Sequence, residues 1–135
     1  MVQVIIFIVT LSLTLCLNFW SGLKYPDIEP TFMGFVTTCI YISVVIMMNK
    51  KWVRNFCVMG AISSLLVALL ISFETVLTEN MLLDMIFSVQ YALYVVFIMP
   101  LFGLNFITDL PLEWFSCICI GIYIALYFRL KGRVV

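Results

Sequence analysis

Five stretches without a charged side chain divide the 135 residues of this chain, and short polar segments separate them. The stretches cover residues 1–23, 30–49, 55–73, 85–108 and 114–128. An α-helix rises about 1.5 Å per residue and the hydrocarbon layer of a membrane is roughly 30 Å thick, so about 20 apolar residues form one crossing. The fifth stretch is shorter, but Glu113 can extend its side chain to water from the first helical turn. The pattern predicts five transmembrane helices at about 2–22, 30–48, 55–77, 82–104 and 110–130.

Composition agrees with this prediction. Hydrophobic residues make up 65% of the chain and charged residues 10%, against about 45–50% and 25% in soluble domains. The stretches have no periodic polar face that could meet water. We therefore expect an all-helical bundle, with residues 1–135 as a single integral domain in the lipid bilayer. A multi-pass protein of the plasma membrane is the expected class.

The path of the fourth stretch is open to two interpretations. If it crosses, basic residues divide three against four between the two sides, and the chain ends on the side opposite to its start. If it enters and returns on one face, six of the seven basic residues gather on one side and all seven acidic residues on the other. Pro100 and Gly103 are suited to such a break, and protein must then cover it. We expect a crossing, because 24 residues are enough for one and hydropathy is the more direct signal.

Small residues form a stripe at every fourth position of the third stretch. In lipid, helices associate where small side chains allow two backbones to approach closely. The fifth stretch carries a looser version, and Ser88 and Ala92 form a weaker one in the fourth. The third and fifth helices are therefore predicted partners, and the stripes either pack this bundle internally or contact another subunit. The predicted helix-packing residues are Gly60, Ser64, Ala68, Ser72, Cys117, Gly121 and Ala125.

Glu74 and Gln90 are the candidates for a polar site near one membrane interface. Glu74 lies at the end of the third stretch, where its carboxylate faces the negative end of the helix dipole, and Gln90 lies inside the fourth. Ionisable and polar residues at membrane depth often mark a pathway. The alternative interpretation is that both side chains reach water or bond a neighbouring helix, as Asn105 is also expected to do.

Several classes of chemistry find no support in the sequence. The chain has no histidine, and its five cysteines form no C-x-x-C pair, so we expect no metal site and no cofactor. No acidic residue lies centrally in a stretch, and we expect no catalytic residues and no enzymatic activity. The net charge is zero, which gives no argument for a nucleic-acid partner.

The predicted function is association in the membrane, with other copies of the chain or with other membrane proteins. An accessory, assembly or immunity-type subunit fits this prediction. The alternative, from a different class, is a small transporter or channel component for an ion or small molecule in which Glu74 and Gln90 contact the cargo.

Overall fold

The computed structural model describes residues 1–48, 50–77 and 81–133, and it confirms an all-helical bundle with apolar helices at the predicted positions. Within these residues, four helical stretches are long and apolar enough to cross a membrane, namely Val2–Leu23, Lys51–Glu74, Asp84–Thr108 and Leu112–Gly132, and the helix at Phe32–Met47 is shorter. The elements are α1 (Val2–Leu23), α2 (Phe32–Met47), α3 (Lys51–Leu77), α4 (Met81–Leu93), a π-helical turn (Tyr94–Ile98), a 3-10 segment (Met99–Leu104), α5 (Asn105–Thr108) and α6 (Leu112–Gly132).

Three helices begin at positions that differ from the predicted ones, and α6 begins at Leu112 instead of about residue 110. Helix α2 begins at Phe32 instead of Pro30, because the Thr31 hydroxyl accepts a hydrogen bond from Gly34 N at 3.1 Å and caps the helix there. Helix α3 begins at Lys51 instead of about residue 55. Lysine and arginine are good helix formers, so the basic segment continues the helix beyond the apolar stretch.

Helices α1 and α2 pack against each other in opposite directions. Asn18 Nδ2, near the end of α1, donates a hydrogen bond to Thr38 Oγ1, in the first half of α2, at 3.1 Å. The rings of Phe7 and Tyr41, from the start of α1 and the second half of α2, lie 6.0 Å apart. The order of the contacts is reversed along the two helices, so they form an antiparallel hairpin.

Helices α3 and α6 form the second antiparallel pair. Gly60, early in α3, lies under the ring of Tyr123, and Ile71, late in α3, lines a cleft together with Leu112, the first residue of α6. The end of α6 reaches the end of α2, since the Arg133 guanidinium donates a hydrogen bond to Ile46 O at 2.8 Å. The third and fifth apolar stretches are thus packed together, in opposite directions.

The charged residues are divided between the two ends of the bundle. We call the end where α1 and α3 begin and α2 and α6 end the basic end, and the opposite end the acidic end. The basic end holds Lys50, Lys51, Arg54, Arg129, Lys131 and Arg133. The acidic end holds Lys24 and every acidic residue within the described ranges, which are Asp27, Glu29, Glu74, Asp84, Asp109 and Glu113. Glu79 lies outside the described residues.

Residues 81–108 enter the bundle at the acidic end and return to it, and we call them the re-entrant segment. Before the bend, Gln90 of α4 shares a cleft with Glu74 of α3. At its exit, Asp109 Oδ1 accepts a hydrogen bond from the Tyr25 hydroxyl at 2.9 Å. Between these points, Phe97 O accepts a hydrogen bond from the hydroxyl of Tyr123, near the middle of α6, at 2.6 Å. The path differs from the expected straight crossing and matches the alternative in which the fourth stretch returns.

The bend has a local cause in the sequence. Pro100 has no backbone N–H, so one bond of the α-helical ladder is missing, and the chain passes through the π-helical turn and the 3-10 segment there. Irregular backbone is tolerated at membrane depth only when protein or water covers it. Here Ile98, Met99 and Phe102 are fully buried, so the bundle itself covers the bend.

Candidate functional site

Glu74 and Gln90, the two residues predicted to form a polar site, line one cleft at the acidic end. The volume of the cleft is about 230 Å³. Glu74 comes from the last turns of α3 and is exposed, and Gln90 comes from α4 and is half-buried. Helix α4 starts where α3 ends and leads into the bundle, which places Gln90 beside the end of α3.

The other walls of this cleft are aromatic or apolar. They are Gly22, Leu23, Ile71, Tyr91, Tyr94 and Leu112. The Tyr94 hydroxyl donates a hydrogen bond to Gly22 O at 2.6 Å, which fixes its ring against the last turn of α1. A Cβ atom at Gly22 would lie 3.2 Å from Met99 Cγ and 3.4 Å from Tyr94 Oη. The glycine therefore permits the close approach of the re-entrant segment.

The electrostatic character of the cleft is negative. Among the described residues that line it, Glu74 is the one acidic side chain. The basic residue of this end, Lys24, places its Nζ atom 5.4 Å from the centroid of the Trp20 ring. The lysine is thus engaged with a tryptophan face, and no basic side chain lines this cleft within the described part of the chain.

A second cleft adjoins the first at Leu112. Its volume is about 550 Å³, and its lining includes Tyr25, Glu29 and Asp109. Partial burial and the hydrogen bond to the Asp109 carboxylate raise the pKa of Tyr25, so this hydroxyl keeps its proton at neutral pH and remains the donor. The bond ties the loop after α1 to the exit of the re-entrant segment.

The stripe of small residues on α3 is divided between the interior and the surface. Gly60, Ser64 and Ala68 are buried, and a Cβ atom at Gly60 would lie 2.7 to 2.8 Å from three carbons of the Tyr123 ring. Ser72 is exposed, and its hydroxyl donates to Ala68 O at 2.9 Å. Three of the four residues therefore lie inside the bundle.

The looser stripe on α6 does not line the contact with α3. Cys117, Gly121 and Ala125 are exposed, and a Cβ atom at Gly121 would meet no atom within 4 Å. The reason is steric, since α6 turns the large ring of Tyr123 into the groove above Gly60. The small residues are left on the outer face of the helix, and Ser88 and Ala92 of α4 are exposed as well.

A buried polar contact that was not predicted from the sequence holds the re-entrant segment. The Thr38 hydroxyl lies 2.9 Å from Gly34 O and 3.0 Å from Pro100 O, and its oxygen accepts the bond from Asn18. Asn18 and Thr38 are fully buried, and Gly103 packs directly on the backbone of Gly34. The sequence contained one sign of this contact, since Asn18 is a polar residue inside the first apolar stretch.

Asn105 stabilises the exit of the re-entrant segment by local hydrogen bonds. Its Oδ1 atom accepts from the Thr108 hydroxyl and from Leu110 N, both at 2.9 Å, and its Nδ2 atom donates to Leu110 O at 3.1 Å. The residue was expected to reach water or bond a neighbouring helix. It bonds the turn that follows it instead.

In residues 1–48, 50–77 and 81–133, no group of three Cys, Asp or Glu side chains is arranged to hold a metal ion. No family model, curated protein or solved structure matches the chain.

Proposed function

We propose that this chain is a multi-pass protein of the plasma membrane that has no catalytic activity and acts by association, as an accessory or assembly subunit that pairs with a second copy of itself. The observation that carries the proposal is the exposed row Cys117, Gly121 and Ala125 on α6. Small residues four positions apart let two helices approach closely in lipid, where hydrophobic burial gives no drive to associate.

The position of Gly121 supports this proposal. A glycine in the interior of a helix costs roughly 0.5–1 kcal/mol relative to alanine. At Gly60 the missing side chain gives room to Tyr123, whereas at Gly121 the space is empty within one copy. A second backbone in that space explains why the helix keeps a glycine there.

The charge distribution supports one orientation for every copy. Loops rich in lysine and arginine remain on the cytoplasmic side of a membrane, so the basic end faces the cytoplasm and the acidic end faces outward. Copies with the same orientation present parallel α6 helices to each other. We infer a two-fold contact in which the helices cross at Gly121.

The interior of the bundle favours association over a channel. Tyr41, Ile98 and Tyr123 are at most 1% exposed and fill the core between the two ends. A channel needs a polar path through this region, and a transporter needs a second arrangement of these side chains. The clefts at the acidic end lead into this closed core, so the transport alternative has the weaker support.

Replacing Gly121 with leucine is expected to weaken association and leave the fold intact. The new side chain enters open space within one copy but fills the groove that a partner backbone needs. We expect the dissociation constant of the dimer to rise at least tenfold, as measured by energy transfer between labelled copies in liposomes.

Ile124→Leu is the matched control, because Ile124 is 45% exposed on the same helix and the change keeps volume and polarity. This variant should associate like the unmodified protein. A monomeric unmodified protein, or equal association of Gly121→Leu and Ile124→Leu, would contradict the proposal.

A further inference from the structure

We propose that the cleft around Glu74 and Gln90 binds an amphiphilic organic cation with an ammonium head and a short alkyl chain. This binding site goes beyond the pairing of copies and does not depend on it. The cleft combines one carboxylate, two tyrosine rings and apolar walls. Together these groups can neutralise the head of such a molecule and cover its chain.

The carboxylate of Glu74 has the position and the charge to hold the ammonium group. It is exposed at the rim of the cleft, and Lys24, the basic residue of this end, lies over the Trp20 ring. Other carboxylates at the acidic end add to the negative potential there. Such a field raises the local concentration of cations near the cleft.

The tyrosine rings provide a second attraction for a cation. Tyr94 is only 6% exposed, and its hydroxyl bond to Gly22 O fixes its ring. Tyr91 is 54% exposed and lines the same cleft. The face of a tyrosine ring attracts a cation, most strongly where water is partly excluded. The amide oxygen of Gln90 is an acceptor with a partial negative charge, which also attracts a cationic head.

The apolar walls fit the alkyl part of the molecule. Leu23, Ile71 and Leu112 come from three different helices and line the cleft together. The cleft has a volume of about 230 Å³, which leaves room for a small head and a few methylene groups. Trp20 and Trp114 are exposed at this end, as expected at the depth of a membrane interface. A ligand with a polar head and an apolar chain favours the same depth.

Two other ligand classes fit the cleft less well. Calcium takes six to eight oxygen ligands, and magnesium requires octahedral oxygen coordination. One carboxylate and one amide among apolar walls do not supply such a set. Anions are repelled by Glu74, which faces no basic wall in the described residues.

Titration calorimetry on the purified full chain in a neutral maltoside detergent tests the proposal, with hexyltrimethylammonium as the probe. We expect saturable binding that Glu74→Gln weakens at least tenfold. Glu113→Gln is the matched control, because Glu113 is exposed at the same end and does not line the cleft. This control should change the dissociation constant less than twofold, and hexanesulfonate should not bind.

A second pair of variants tests the aromatic contribution. Tyr91→Leu should weaken binding of the cation about threefold or more, whereas Tyr91→Phe keeps the ring and should bind like the unmodified protein. Both Glu74 and Tyr91 are exposed, so all these variants should melt at the temperature of the unmodified protein. Equal affinities for Glu74→Gln and Glu113→Gln, or equal binding of hexanesulfonate, would overturn the proposal.

The same experiment separates two sources of an ammonium group, a lipid head and a soluble amphiphile. Dihexanoylphosphatidylcholine carries the same trimethylammonium group on a short-chain lipid. Binding of both probes that depends on Glu74 would assign the cleft to a lipid headgroup. Binding of hexyltrimethylammonium alone would assign it to a soluble cation. Binding of neither probe would contradict the proposal.

Discussion

Gly103→Ala is expected to release the re-entrant segment from α2. A Cβ atom at Gly103 would lie inside the van der Waals radii of Gly34 O and Thr38 Oγ1, and 2.6 Å from the carbonyl carbon of Gly34. Backbone atoms of a packed helix cannot move aside as a flexible side chain can. Overpacking costs about 1–3 kcal/mol, and loss of the hydrogen bond between Thr38 and Pro100 adds about 1 kcal/mol. We expect the free energy of unfolding in detergent to fall by roughly 3 kcal/mol.

Gly132→Ala is the control for this prediction. It makes the same chemical change on a helix where a Cβ atom would meet nothing within 4 Å. Limited proteolysis should also cut Gly103→Ala within the re-entrant segment at denaturant concentrations that leave the control intact. Equal unfolding free energies for the two variants would mean that Gly103 does not pack on α2.

Gly60→Leu is expected to separate α3 from α6. The new side chain must displace Tyr123, whose ring carbons lie 2.7 to 2.8 Å from a Cβ atom at Gly60. Tyr123 is 1% exposed, and its hydroxyl bond to Phe97 O also anchors the re-entrant segment. The substitution therefore affects two contacts at once, and we expect a loss of about 3 kcal/mol in the free energy of unfolding.

Leu66→Ile is the control for Gly60→Leu, because Leu66 is 43% exposed on the same helix and the change keeps its volume. The melting temperature of the purified protein, followed by size-exclusion chromatography after heating, compares the two. Gly60→Leu should lose its compact form at a clearly lower temperature. If both variants melt together, α3 and α6 are not held by the contact between Gly60 and Tyr123.

Hydropathy was sufficient to place the helices, because each apolar stretch must satisfy its backbone polar groups internally and the helix does so. It could not give the path of the fourth stretch, since the length of an apolar stretch carries no information on direction. The charges carried that information. Six basic residues at one end and the acidic residues at the other are expected only when residues 81–108 return.

The partners of individual side chains were harder to predict than the helices. Small residues indicate a close approach but do not say which helix approaches, so Gly60 and Gly121 look alike in the sequence and differ in the structure. Hydroxyl side chains in helices commonly bond their own backbone, as Thr14 does with Thr10 O at 2.7 Å. The contact of Thr38 with Pro100 forms only when the re-entrant segment packs on α2, and this packing is a property of the tertiary fold.

Labelling of single cysteines with a membrane-impermeant maleimide in sealed vesicles tests the re-entrant fold most directly. The native cysteines are first replaced by alanine, and one cysteine is introduced at Asp27, Lys50, Asp109 or Arg133. The fold predicts that Lys50→Cys and Arg133→Cys react from one side and that Asp27→Cys and Asp109→Cys react from the other. Reaction of Asp109→Cys with Lys50→Cys on one side, and of Arg133→Cys with Asp27→Cys on the other, would show five straight crossings and contradict the fold.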